Sequence, residues 1–187
     1  MDVSAVAFTA LVAAVALERV AELVVSNRNA RWSLDQGGVE TGKRHYVVMV
    51  ILHTALLVGA LAEVWLAPRH FVPALGWTMF ALVLASQALR WWCIACLGGL
   101  WNTRVIVVPG LTRVTSGPYR WLSHPNYVAV VVEGLALPLV HGAWITALAF
   151  TAANLVLLRH RIRVENEALR ALRHPRETLA TERARGA

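Results

Sequence analysis

Tyr46–Ala67 reads YVVMVILHTALLVGALAEVWLA. A helix rises about 1.5 Å per residue and the hydrocarbon core is about 30 Å thick, so about 20 such residues make one membrane crossing. Working outward, the same kind of run recurs at Val3–Val25 and at Phe71–Leu97, with shorter ones at Tyr127–Val140 and Ala143–Leu158. Across the 187 residues 57% are hydrophobic and 16% charged, and the apolar excess is collected into these blocks rather than spread through a soluble core. The expected fold is therefore all-α: a polytopic membrane bundle of about five transmembrane helices, with four as the alternative. The last two runs are short enough to tilt or to sit partly within the protein. Met1-Asp2-Val3-Ser4 lacks the positive start of a signal peptide, so the first run reads as a retained span.

The charge asymmetry orients the bundle. With five spans, fifteen of the 18 lysines and arginines fall on the side holding the 26–45 and 98–125 loops and the C-terminal tail. Only Arg69 falls on the opposite side, while Arg19 and Arg90 lie within spans. Positive charge collects in the cytoplasm, which puts the N-terminus outside and the C-terminus inside a bacterial cell membrane. The formal charge of +7 is thereby assigned to topology and to anionic membrane lipids, not to nucleic acid. The chain reads as one domain: three spans over 1–97, a core over 98–170 and a surface tail over 171–187.

Several residues break the apolar pattern. Glu18 and Glu22 share a face near the cytoplasmic end of the first span, beside Arg19; His53, Arg90 and Glu133 lie within the second, third and fourth spans. Ionisable groups at membrane depth turn inward and pair, or line a polar pocket. Cys93 and Cys96 share a helix face with too few ligands nearby for a metal site, and read as small buried apolar side chains. The segment after Gly98-Gly99 is too irregular for a helix and too long for a connector: an extended Val105–Val108, a Pro109-Gly110 turn, then Thr115-Ser116-Gly117-Pro118-Tyr119. Long ordered loops of this kind carry function. His124-Pro125 follows, presenting the histidine at a helix start whose free N–H groups suit an anion. Arg161 and Glu165 are four apart on the charged exit of the last helix, where an i,i+4 pair is expected.

Taken together, LTRVTSGPYRWLSHPNY over Leu111–Tyr127, a helical hairpin, and Arg161-x-x-x-Glu165 resemble the isoprenylcysteine carboxyl methyltransferase family, and more distantly the membrane phospholipid methyltransferases. The likeness covers roughly residues 98–170. Glu22-Leu-x-x-Ser-x-Arg28-Asn-x-Arg31-Trp32 and Gly42-Lys-x-His45-Tyr46 add a likeness to a bacterial branch associated with methylating long-chain polyketides such as alkylpyrones. The resemblance implies S-adenosylmethionine as cofactor, contacted by Leu111, Thr112, Arg113, Val114, Tyr119, His124, Pro125, Asn126, Tyr127 and Glu165. It implies that Arg161 faces the methyl acceptor, a lipophilic small molecule; Glu133 and Glu22 are further acceptor-side candidates, and Glu133 or His124 a base where the acceptor is a phenol. Ser123 stands where the family often has arginine, and Asn166 where it often has a second glutamate. A sterol-reductase-like protein using NADPH shares a similar His-Pro-x-Tyr region and is the enzymatic alternative. A non-enzymatic carrier or scaffold is the third reading, although a carrier of inverted repeats would show matching halves, and this chain has no internal repeat.

Overall fold

A computed structural model describes residues 2–67, 70–111 and 114–173. Five helices account for most of it: α1 Val3–Asp35, α2 Lys43–Leu66, α3 Pro73–Leu97, α4 Pro125–Leu139 and α5 Trp144–Arg173. Three of them, α1, Tyr46–Leu66 within α2, and Pro73–Leu100 across α3, are long and apolar enough to span a membrane, and α4 is a shorter apolar helix. The outward faces carry Leu17, Val24, Ile51, Val58, Trp77 and Leu84 exposed, as lipid-facing surfaces do. The chain is a polytopic helical membrane bundle.

The core is built where small residues let helices approach. Phe8, Val12 and Val15 of α1 meet Ala60 and Val64 of α2, Val83 of α3, and Ala136 and Leu137 of α4. Gly134 lies directly under the Phe150 ring, where any Cβ would collide with it, so α4 and α5 pack closely at this point. Asp2 caps α1 by accepting the Ser4 amide at 3.0 Å. Ser4 Oγ lies 2.9 Å from Nε2 of the buried His141, whose ring sits against Phe8 and Phe71; the first turn of α1 is thus tied to the α4–α5 turn. Glu63, near the end of α2, accepts from the Ile145 and Thr146 amides at 3.2 and 2.8 Å. It supplies in trans the anionic cap that the start of α5 lacks in its own sequence.

Two boundaries differ from the sequence expectation. Residues 26–35, read as loop, continue α1 by nearly three turns. Their polar side chains are used on one face: Ser26, Asn29, Ala30 and Ser33 are buried at helical spacing. Asn29 Nδ2 donates to the Gly98 and Trp101 carbonyls at 3.1 and 2.8 Å, and Ser26 Oγ accepts from the Thr103 amide at 2.9 Å. The extended stretch expected near Val105 is a strand, β2 Val105–Val107, and it has a partner, β1 Val39–Thr41. The pair is antiparallel, Val39 opposite Val107 and Thr41 opposite Val105. This two-stranded ladder is the one departure from an all-helical fold among the described residues. It holds the 98–111 segment over one end of the bundle, where the free backbone groups of an irregular loop find partners.

Candidate functional site

Under that ladder lies a chamber of about 350 Å³, within the range of about 300–1,000 Å³ usual for small-molecule sites. All five helices and the 98–124 segment contribute to its wall. One end is polar, with Tyr119, His124, Asn126, Tyr127, Arg161 and Glu165; apolar wall is supplied by Val50, Leu57, Val130 and Leu158; further into the bundle the wall also carries Arg19, Glu22, His53, Arg90 and Asn154.

Local sequence rules place the polar end. Gly117 has φ +55°, and a Cβ there would run into Cys96 Sγ and Trp92, so the Ser-Gly-Pro-Tyr turn can pack on α3 only with glycine. That turn delivers Tyr119 to Cys93. Burial first, and then the neighbouring thiol, hold the Tyr119 phenol well above its ordinary pKa, so it is a neutral hydrogen-bond donor at physiological pH. Pro125 occupies the first position of α4, and His124 before it caps the helix without a side-chain bond. Pro125 has no amide hydrogen to satisfy, and the Tyr127 amide bonds the His124 carbonyl at 3.1 Å, so the helix starts at the mouth on this corner.

The two elements singled out in the sequence meet at one hydroxyl. Arg161 Nε donates to Tyr127 Oη at 3.1 Å, and Tyr127 Oη donates to Glu165 Oε2 at 2.5 Å. The direct i,i+4 ion pair expected between Arg161 and Glu165 is replaced by this bridge: the tyrosine enters from α4 between the two side chains. Arg161, 7% exposed, also donates from Nη2 to the Thr103 carbonyl, and its Nη1 lies 2.9 Å from Met49 Sδ. Glu165 turns its other oxygen toward His124 Nδ1 at 3.7 Å, and the His124 and Tyr127 rings stack at 5.2 Å with an interplanar angle of 12°. Asn126 Oδ1 is buried at the same mouth with no partner among the described residues.

Of the residues named from the sequence, Leu111, Val114, Tyr119, His124, Asn126, Tyr127, Glu22, Arg161 and Glu165 all stand in the chamber wall. Pro125 is buried as the first residue of α4. Thr112 and Arg113 lie outside the described residues, as do Arg69 and the tail beyond 173. Glu133 does not line the chamber. It is held behind the wall by Arg90, which donates to Oε2, and by Arg19 at 3.4 Å. Arg19 also bonds Glu22 at 2.6 Å, and the Gln87 amide and Trp91 indole hold Glu18. The intramembrane charges thus form one paired cluster, of which Arg19, Glu22 and Arg90 reach the chamber. Asn154 is a wall residue with no sequence motif of its own; it continues the helical stripe Asn154, Leu158, Arg161, Glu165 on α5, whereas His53 lines the chamber as one of the two alternatives its membrane depth allows.

The isoprenylcysteine carboxyl methyltransferase (ICMT) family model matches residues 78–171, which takes in α4, the mouth loop and the described part of α5. An uncharacterised protein of Bacillus subtilis, YpbQ, is 38% identical over 163 residues, covering 87% of this chain and 96% of its own length. An uncharacterised protein of Haemophilus influenzae is 25% identical over 154 residues, 81% of this chain and 88% of that one. No solved structure matches the chain.

Proposed function

The chain belongs to the isoprenylcysteine carboxyl methyltransferase family, and from that premise we propose that it is an S-adenosylmethionine-dependent methyltransferase acting on an oxygen of a lipophilic acceptor. The observation that carries the reading is the convergence of the His124 corner and the Arg161–Glu165 face, through the Tyr127 hydroxyl, on a single chamber that is polar at its mouth and apolar behind it.

The residues at the mouth fit the cofactor. Glu165 is a carboxylate for its ammonium group. The N-terminal end of α4, with His124, suits its carboxylate. Asn126 has a buried oxygen without a partner among the described residues, ready for a ribose hydroxyl, and Tyr119 is a neutral donor. Leu111, Thr112, Arg113 and Val114 complete the set that the family likeness implies, with Pro125 fixing the corner. When bound, S-adenosylmethionine supplies a methyl group already activated by its sulfonium, so the protein's contribution is alignment and exclusion of water.

Arg161 is the residue for the acceptor. Its guanidinium is fixed on three sides and buried at the boundary between the mouth and the apolar stretch. It orients an anionic oxygen, a carboxylate or an acidic enol, by charge and directed N–H groups. Such an oxygen is deprotonated before it arrives, and no base is required of the protein. The apolar stretch takes the acceptor's chain, and the acceptor enters from lipid while the cofactor enters from water. This favours long-chain acids or polyketide enols over small soluble acceptors. The same reading puts the mouth and the C-terminus in the cytoplasm, where the cofactor is made, and the N-terminus outside.

The test is calorimetry on the purified protein in lipid nanodiscs. His124→Ala and Glu165→Ala should each weaken S-adenosylmethionine binding by about tenfold or more, the scale of a lost charge-assisted contact. Arg161→Ala should keep the binding and lose transfer of labelled methyl to a lipid extract. Wild-type protein that binds no S-adenosylmethionine would sink the proposal.

A further inference from the structure

Asn154 stands on the same face of α5 as Arg161, seven residues earlier and so about 10 Å further into the bundle. It is 1% exposed, it lines the chamber, and neither its amide nitrogen nor its amide oxygen has a partner among the described residues. A primary amide buried in this way is less favourable than an apolar side chain of the same shape, unless something else bonds to it.

His53 of α2 lines the same part of the chamber. Its Nδ1 lies 2.8 Å from the Met49 carbonyl. A carbonyl only accepts, so Nδ1 carries the proton, and in the neutral ring Nε2 keeps a bare lone pair. The imidazole meets the Phe150 ring edge-on at 5.2 Å, one helical turn before Asn154. The two residues together offer two N–H donors on Asn154 Nδ2 and two acceptor atoms, Asn154 Oδ1 and His53 Nε2. A hydroxyl, which donates once and accepts, complements that set; a hydrocarbon chain leaves all of it unused.

Resting on the methyltransferase reading above, we infer that the acceptor carries a second polar group, a hydroxyl about 10 Å from the oxygen that is methylated, and that Asn154 and His53 form its subsite. In an extended chain that separation is about eight bonds. The acceptor class is thereby narrowed to long-chain molecules hydroxylated part-way along, and away from plain isoprenoid or saturated acids. Asn154 selects the acceptor and takes no part in holding the cofactor, which sits at the mouth.

Cells with and without the full-length protein, fed trideuteromethyl methionine, test this directly. Lipid extracts are searched by tandem mass spectrometry for a protein-dependent product carrying the labelled methyl, before and after silylation of free hydroxyls. The expected product gains one silyl group, and its fragments place the hydroxyl about eight bonds from the methoxyl oxygen. Asn154→Leu, nearly isosteric, should lower that product about tenfold or more, while the purified variant keeps wild-type S-adenosylmethionine affinity; Asn154→Ser, which cannot overpack, should do the same. A labelled product with bare hydrocarbon at that position, or unchanged yield from both variants, overturns the inference and leaves the methyltransferase reading in place. No labelled product in any strain overturns both.

Discussion

Replacing Arg90 by methionine puts the intramembrane charge cluster to its hardest test. Arg90 is 5% exposed and Glu133 4%; the guanidinium bonds Glu133 directly, and its Nε lies 3.6 Å from Glu22. Methionine keeps most of the stem and removes one of two cations from a group that holds three carboxylates, Glu18, Glu22 and Glu133. Breaking a buried pair by deleting one partner costs about 3–5 kcal/mol, because the survivor is left charged and dry. Arg19 remains within 3.4 Å of Glu133, so the loss should fall at the low end, about 3 kcal/mol. Glu133→Leu should cost a similar amount, since Arg90 keeps only the longer contact to Glu22. The double variant exchanges a buried ion pair for packed apolar groups, an exchange that is often close to neutral. It should therefore be more stable than either single variant, which requires a coupling energy larger than about 3 kcal/mol and approaching about 6 kcal/mol for a fully neutral exchange. Reversible unfolding in bicelles under a sodium dodecyl sulfate titration measures all four proteins. Additive losses, with the double variant the least stable, would refute the reasoning, because they would mean that Arg90 and Glu133 are stabilised independently of each other.

Three other substitutions probe separate parts of the structure. Tyr127→Phe removes the hydroxyl between Arg161 and Glu165 while keeping the ring stacked on His124; methyl transfer should fall about 10- to 100-fold, and unchanged transfer would show that the bridge positions neither side chain. Glu63→Ala uncaps α5 at the end remote from the mouth and should lower stability by about 1–2 kcal/mol without changing S-adenosylmethionine affinity, as thermal unfolding and calorimetry on one sample would show. Gly117→Ala forces a side chain into Cys96 and Trp92, so it should cost about 1–3 kcal/mol, shift tryptophan emission, and weaken cofactor binding through Tyr119.

The spans were legible because hydrocarbon thickness dictates them: five apolar runs became five helices whose starts agree within three residues, while α1 and α5 run on well past the apolar stretches, to Asp35 and Arg173. The C-terminal third of α1 was not, because the membrane argument ends where polar residues begin. Ser26, Asn29, Ala30 and Ser33 nevertheless repeat at three and four residues, which is a helix signal carried by small polar side chains instead of apolar ones. The β1–β2 ladder was half legible. Val105–Val108 looks extended, but Val39–Thr41 is three residues between Gly38 and Gly42, and only pairing across the chain makes it a strand. Among site residues, the His124-Pro125 corner and the Arg161–Glu165 spacing stand out in the sequence, while Tyr127 enters only through the family resemblance. The bridging of Arg161 and Glu165 through Tyr127 does not stand out, because i,i+4 geometry invites a direct pair and gives no hint of a third group from another helix. Glu63 and Asn154 stand alone in apolar sequence. Counting back from Arg161 along one helical face reaches Asn154, and that period was the available signal.

The length of α4 explains why the mouth is built from loop. Its 15 residues cover about 22 Å, some 8 Å short of the hydrocarbon thickness. Its start, His124-Pro125, is therefore drawn below the level that a full span would reach, and the space beneath must be filled by something whose backbone is satisfied without helix. The side chains of Ser26 and Asn29 and the β1–β2 ladder do this for the 98–107 stretch, and the tight Gly117–Arg120 turn does it against α3. A full-length fourth span would bury His124 against lipid headgroups and close the route between water and the apolar stretch. A short one places a helix start within one side chain of a dry wall. Tyr127 sits at that junction, its hydroxyl shared by a half-exposed carboxylate and a buried guanidinium, so a group bound on its watery side and a chain bound on its apolar side are held within reach of each other by the shortest helix in the bundle.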